Sequence, residues 1–178
     1  MAINPPIEHT ATMTNNHLQT AQECLNSLGI RHDLHESDGI LMAQVQHAHV
    51  RLGLVVAAPQ DKDCLRLMLL MPIVVPGPHR AAVGEFFLRL NFMLNVGAFE
   101  LDFEDGEMRF RITHAISEQG LSCETVKRLL LTASSTVDGH WIPLMQILYA
   151  SATPAQTIEQ AEAFFRDYLG GPGKGFQP

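Results

Sequence analysis

Residues Leu90–Arg111 read LNFMLNVGAFELDFEDGEMRFR. An apolar half carrying Asn91 and Asn95 meets Gly97, after which charged residues alternate with large apolar ones. Asp105-Gly106 is a favoured pair at the centre of a two-residue type I′ turn. Placing that turn predicts a hairpin over 98–113. Phe103 then faces Met108, Leu101 faces Phe110 and Phe99 faces Ile112 on one side. On the other side Asp102 faces Arg109 and Glu100 faces Arg111, opposite-charge pairs contributing ~0.2–1 kcal/mol each. Glu104 and Glu107, beside the turn, meet with like charge. A slip of one residue would put three large apolar pairs into water, so the charges serve to specify pairing. A calcium loop does not fit. With Gly106 at its sixth position, the first and third ligand positions fall on Leu101 and Phe103, which are hydrocarbon. Another metal site built on Glu104, Asp105 and Glu107 is outweighed by a solvated turn.

Upstream, PGPHR from Pro76 opens a helix, with Pro78 in the first turn where a missing N–H does no harm. Ala82, Val83, Phe86, Phe87, Leu90 and Leu94 form its apolar stripe, and Gly97 is placed to end it. Phe92 and Met93 widen the stripe, so this helix is expected to be covered on more than one side. Leu18, Ala21, Leu25 and Leu28 predict a helix over 14–28 that stops at Gly29. GILMAQVQ from Gly39, VRLGLVVAA from Val50 and CLRLMLLMPIVV from Cys64 are strand-length and separated by turn-like residues.

Downstream, Ser122 caps a helix whose apolar face runs from Val126 to Leu148. Gly139 and Pro143 lie inside it and predict a kink or break near 138–143. A last helix has Thr153 as N-cap and Pro154 at N1, with Ile158, Ala161, Phe165 and Leu169 facing inward. Residues 1–13 read as a flexible arm and 170–178 as a flexible tail around a single domain over 14–169. The order α-β-β-β-α-β-β-α-α predicts an α+β domain with an antiparallel sheet of about five strands packed against helices.

The 178 residues are 46% apolar, enough for a proper core. The formal net charge of −7, with 12 Lys+Arg against 19 Asp+Glu, argues against nucleic acid and anionic membranes as partners. Cys24, Cys64 and Cys123 are widely spaced, which fits a reducing cytosol rather than a disulfide framework or zinc knuckle. No signal peptide or bilayer-length apolar run is visible, so a cytoplasmic protein is expected.

Few residues offer chemistry. His47 and His49 would share a face on a strand, the geometry a metal needs, and His32 and His35 lie nearby in sequence. No cysteine or carboxylate joins the pattern, so exposed histidines beside a turn are the plainer account and no metal is expected. Cys123 follows a capping serine, where a helix N-terminus can lower a thiol pKa, although an idle or buried thiol is the commoner case. No nucleophile elbow, phosphate loop or dinucleotide fingerprint is present, so neither an enzyme nor a cofactor is expected. A buried Asn91 amide must find partners. It either bonds a neighbouring backbone group, the favoured account, or lines a binding groove.

RLNF with Asn91, GAFELDFEDGEMRFR, Asp138 with WIPLMQILYA, and TPAQTIEQAE together resemble the YbjN family of bacterial sensory transduction regulators. The resemblance runs from Val75 to about Glu162, while the N-terminal strands match only in pattern. Phe92 stands where tyrosine is frequent, which removes any role for a hydroxyl there. The resemblance implies a type III secretion chaperone-like fold and a frequently dimeric binding protein, and it carries no catalytic residues.

The expected function is a non-enzymatic protein-binding module, chaperone-like or regulatory, acting as a homodimer with an unidentified protein partner. The eight methionines suit an adaptable surface. Asn91, Phe92, Asn95 and Trp141 are its candidate groove residues. The alternative is a small-ligand- or metal-binding regulator using Asn91 or the His32–His49 segment.

Overall fold

The computed structural model describes residues 9–59 and 62–159. Helix α1 (His9–Ser27) begins five residues ahead of the expected start, inside the segment read as an arm. It ends as expected at Gly29, whose φ of 69° suits a residue without Cβ. Gly29 N–H donates to the Asn26 carbonyl at 3.0 Å and Ile30 N–H to the Leu25 carbonyl at 2.9 Å, which closes a Schellman motif.

Six antiparallel strands follow, one more than expected, in the order β1-β2-β3-β4-β6-β5. They are β1 (His32–His35), β2 (Ile40–Gln46), β3 (Arg51–Ala57), β4 (Cys64–Leu70), β5 (Ala98–Leu101) and β6 (Met108–Ala115). The extra strand is β1, whose four residues HDLH carry too little apolar pattern to announce it. On one face Leu41, Val56, Leu67 and Ile112 stand in register, beside the row Ala43, Leu54, Leu69, Phe110 and Phe99. This face carries the core, against Leu25 of α1, Phe86 and Leu90 of α2 (Arg80–Met93), and Ala133 and Leu144 of α3 (Cys123–Tyr149). The other face sets Met42, Val55, Met68 and Arg111 in a cross-strand row.

The hairpin keeps its expected faces but not its turn. Leu101 pairs with Met108, Phe99 with Phe110 and Glu100 with Arg109, a shift of two residues from the predicted register. Because strand side chains alternate with period two, the apolar residues stay in the core. The connection is a longer loop over 102–107 in place of a two-residue turn. Asp102 Oδ1 accepts from Glu104 N–H at 2.7 Å, and Asp105 Oδ1 accepts from Glu107 N–H at 2.8 Å. These local bonds favour the wider loop. Gly106, at φ 87°, passes so close to Val75 that a Cβ would overlap the Val75 carbonyl oxygen.

Two helix expectations also change. Helix α2 follows a 3₁₀ turn at Gly77–His79 and is capped at its C-terminus by Leu94, whose N–H bonds the Leu90 carbonyl at 3.1 Å. Gly97 therefore lies beyond the cap rather than at C′. Its φ is 80°, and a Cβ there would come within 2.5 Å of the Phe110 ring. Helix α3 runs through Pro143 without a break. Buried residues on both sides of the proline, Val137 and His140 before it and Leu144, Ile147 and Leu148 after it, hold the two halves on one core. Ser122 caps α3 as expected, accepting from Thr125 N–H at 3.1 Å. Residues 154–159 start a further helix, and Thr153 and Gln156 form a capping box at its head. Ala161, Phe165, Leu169 and the 170–178 tail lie outside the described residues.

Candidate protein-binding surface

Helix α2 is apolar on two sides. Val83, Phe86, Phe87 and Leu90 face the core, where the Phe87 and Phe99 rings stack with centroids 4.9 Å apart. Leu88 and Phe92, four positions apart on the opposite side, are 72% and 93% exposed. The second side of α2 is therefore not covered by the described residues, contrary to the sequence expectation. The Glu85–Arg89 ion pair, 2.7 Å between Oε1 and a guanidinium nitrogen, flanks this stripe. Single exposed apolar residues are ordinary, whereas Leu88 and Phe92 stand one helical turn apart, and Met93 at the end of the helix and Val96 just after it are exposed too.

Asn91 sits between the two sides. Its Nδ2 donates to the Phe99 carbonyl at 2.9 Å, and its Oδ1 accepts from Phe99 N–H at 2.8 Å. The N–H and C=O of one strand residue point the same way, so these are the groups Phe99 turns away from β6. Asn91 thus occupies the place of a further strand on the edge of β5. The amide is spent on the backbone, which is the favoured structural account. Asn95 is exposed in the loop after α2 and does not cap the helix. Trp141 is half-buried on α3 against the core. Asn91 and Phe92 share a helix, but none of these four residues lines the cavity beside β2 or the one between β4 and the β5–β6 hairpin.

The histidine pattern does not assemble a metal site. His47 and His49 lie in the turn between β2 and β3, so the shared strand face does not exist. Asp138 takes His49 instead: Oδ1 accepts from its backbone N–H at 3.1 Å and Oδ2 lies 3.3 Å from Nδ1. This docks the turn onto α3 and explains Asp138 structurally. Among the described residues no group of three or more His, Cys, Asp or Glu is placed to hold a metal ion. His47 instead lines a cavity of about 810 Å³ with His32, Arg31, Arg51 and Ser134. Its Nε2 is buried without a hydrogen-bond partner among the described residues.

One charged position escaped the sequence reading, and another, Glu100, keeps its expected partner Arg111 and gains a second. Arg80 Nε donates to the Val75 carbonyl at 3.1 Å, while Nη1 donates to the Phe103 and Glu104 carbonyls at 2.8 and 2.9 Å. It ties the start of α2 to the hairpin loop, and only its place after Pro78 hinted at a role. Glu100 bonds both Arg109, at 2.5 Å, and Arg111 on the outer sheet face. Burial alone would raise the Glu100 pKa, but the hydrogen bonds and charges of Arg111 and Arg109 outweigh it and hold the carboxyl below its ordinary 4.5. The expected Asp102–Arg109 pair is not formed, because the register shift places Glu100 opposite Arg109.

A six-stranded antiparallel sheet with helices packed on one face defines an α+β domain of the type III secretion chaperone-like fold class. A chain of the HopA1-SchA chaperone-effector complex shares the fold at a TM-score of 0.51 and 16% identity, over 75% of this chain and 97% of that one. The YbjN structure from E. coli, described as "a putative transcription regulator", does so at 0.53 and 14% identity, over 75% and 90%. The chain belongs to the YbjN family, whose model, described as "Putative bacterial sensory transduction regulator", matches residues 19–140. That match takes in the N-terminal strands, which the resemblance left aside, and ends before WIPLMQILYA. No curated protein matches the chain. No helix among the described residues is long and apolar enough to cross a membrane.

Proposed function

We propose that this chain is a non-enzymatic protein-binding module, chaperone-like or regulatory, that works as a cytoplasmic homodimer and engages a further protein partner. The observation that carries this is the uncovered face of α2. Leaving Leu88 and Phe92 in water forgoes about 1.5–3 kcal/mol of burial each, which a partner's apolar surface restores. A second copy of α2 supplies such a surface in a symmetric, isologous contact. In this reading the exposed Asn95 serves as a polar rim residue, and Trp141 with the exposed Ile142 offers a second apolar contact on α3. The family and the fold neighbours, described as regulators and part of a chaperone-effector complex, support this reading. The acidic balance of the chain opposes nucleic acid as a partner. Affinity capture from the native cell with wild-type and Phe92→Glu baits tests it. A protein retained by the first and lost with the second supports the reading, and identical profiles count against it.

A second reading, a small-ligand regulator, is favoured by the cavity beside His47 and its unpartnered ring nitrogen. Native mass spectrometry of protein from its own host would show a stoichiometric bound small molecule in that case.

A further inference from the structure

Cys24 and Cys123 are 99 positions apart in sequence, yet they meet where the end of α1 touches the start of α3. Cys24 Sγ donates to the Cys123 carbonyl at 3.2 Å, which sets the Cys24 side chain against the Cys123 residue. Ser27 joins them, its hydroxyl 3.8 Å from Cys123 Sγ and donating to the Cys24 carbonyl at 2.8 Å. Cys24 is fully buried, whereas Cys123, the first residue of α3, is partly exposed. Cys64 is a third free thiol, on β4 opposite Ala115, and belongs to neither helix.

We propose that Cys24 and Cys123 form a reversible dithiol–disulfide pair, a redox-responsive staple between α1 and α3. Cys123 is the sulfur that a small peroxide reaches. It attacks one peroxide oxygen, the O–O bond breaks, water leaves and Cys123 becomes a sulfenic acid. The Cys24 sulfur then attacks the Cys123 sulfur. The S–O bond breaks, and the departing hydroxide takes the Cys24 proton and leaves as a second water. Two electrons pass from the two thiols to the peroxide. A dithiol reductant reverses the linkage by thiol–disulfide exchange and is itself oxidised.

The two cysteines differ in the way this order needs. Burial first, and then the neighbouring Cys123 side chain, push the Cys24 thiol up to about 12, so Cys24 is held protonated and is the weaker nucleophile toward peroxide. In reducing compartments disulfides are rare, and those that do form are mostly transient and redox-responsive. The closed linkage spans all six strands in sequence, so it restricts the unfolded chain and raises resistance to unfolding. It is independent of how the α2 face is used.

The full chain treated with hydrogen peroxide and then titrated for free thiols in denaturant tests the proposal. The count should fall from three to one and return to three with dithiothreitol, and a peptide map should show Cys24 joined to Cys123. Cys64→Ser should lose both remaining thiols, and Cys123→Ser should form no disulfide. Cys24→Ala keeps the buried site apolar and should leave a Cys123 sulfenic acid that a cyclic diketone traps. An unchanged count of three in the wild type, or linkage through Cys64 or between chains, would overturn it.

Discussion

The Asn91 side chain pairs with the Phe99 backbone through both of its polar atoms, donating at 2.9 Å and accepting at 2.8 Å. One amide therefore does for the β5 edge what a neighbouring strand would do. Asn91→Leu leaves the Phe99 N–H and C=O without these partners, at a loss of about 1–3 kcal/mol. Urea denaturation should show that loss. Asn91→Asp should recover only part of it, since a carboxylate has no proton for the Phe99 carbonyl.

Arg80 holds three carbonyls with one guanidinium, joining Val75 to the hairpin loop at Phe103 and Glu104. Hydrogen bonds from charged donors are worth about 1.5–3 kcal/mol each at best, and exposure lowers that here. Arg80→Ala should accelerate amide exchange over 102–107 while leaving β2 and β3 protected. Arg80→Lys should not restore protection, because a single ammonium cannot reproduce the guanidinium fork.

Gly106 and Gly120 share positive φ angles of 87° and 80° but differ in surroundings. Nothing lies within 4 Å of a Cβ at Gly120, while one at Gly106 would overlap the Val75 carbonyl. Gly120→Ala should show only the backbone strain of about 1 kcal/mol. Gly106→Ala should lose clearly more in thermal unfolding, since backbone must move.

Acid should weaken the fold in two separable steps. Burial lowers the His140 pKa from 6.5, only partly opposed by its bond to the Thr136 carbonyl. Its contribution is complete above 6.5 and is lost as pH falls through the lower folded value. Glu100, held below 4.5 by Arg111 and Arg109 despite its burial, contributes fully above 4.5 and loses that contribution below it. Denaturation across a pH series should show the first step absent in His140→Gln and the second absent in Glu100→Gln.

The sequence carried the class of fold because apolar residues at two and 3.6 spacings mark sheet faces and helix stripes directly. The faces of the β5–β6 hairpin were legible for that reason, but its register was not. Asp102 and Asp105 fold back on their own loop, which turn propensity alone did not distinguish from a tight Asp-Gly turn. Strand β1 escaped because HDLH pairs only at an edge. Asn91 was legible as an amide needing partners, while its partner Phe99 emerged only once α2 lay along β5. Phe92 was expected to be covered, and its exposure came from geometry alone: a helix with apolar residues all round does not say which side its own chain covers. The contacts Cys24–Cys123 and His49–Asp138 join segments distant in sequence, and no local pattern announces them.

Sedimentation velocity of the wild type and Phe92→Glu over a wide concentration range tests the central claim, that the open face of α2 is a protein-binding surface used first by a second copy. The expected result is a concentration-dependent dimer for the wild type and a monomer with unchanged circular dichroism for Phe92→Glu. A wild type that stays monomeric at high concentration, or a folded variant that dimerises as before, would contradict it.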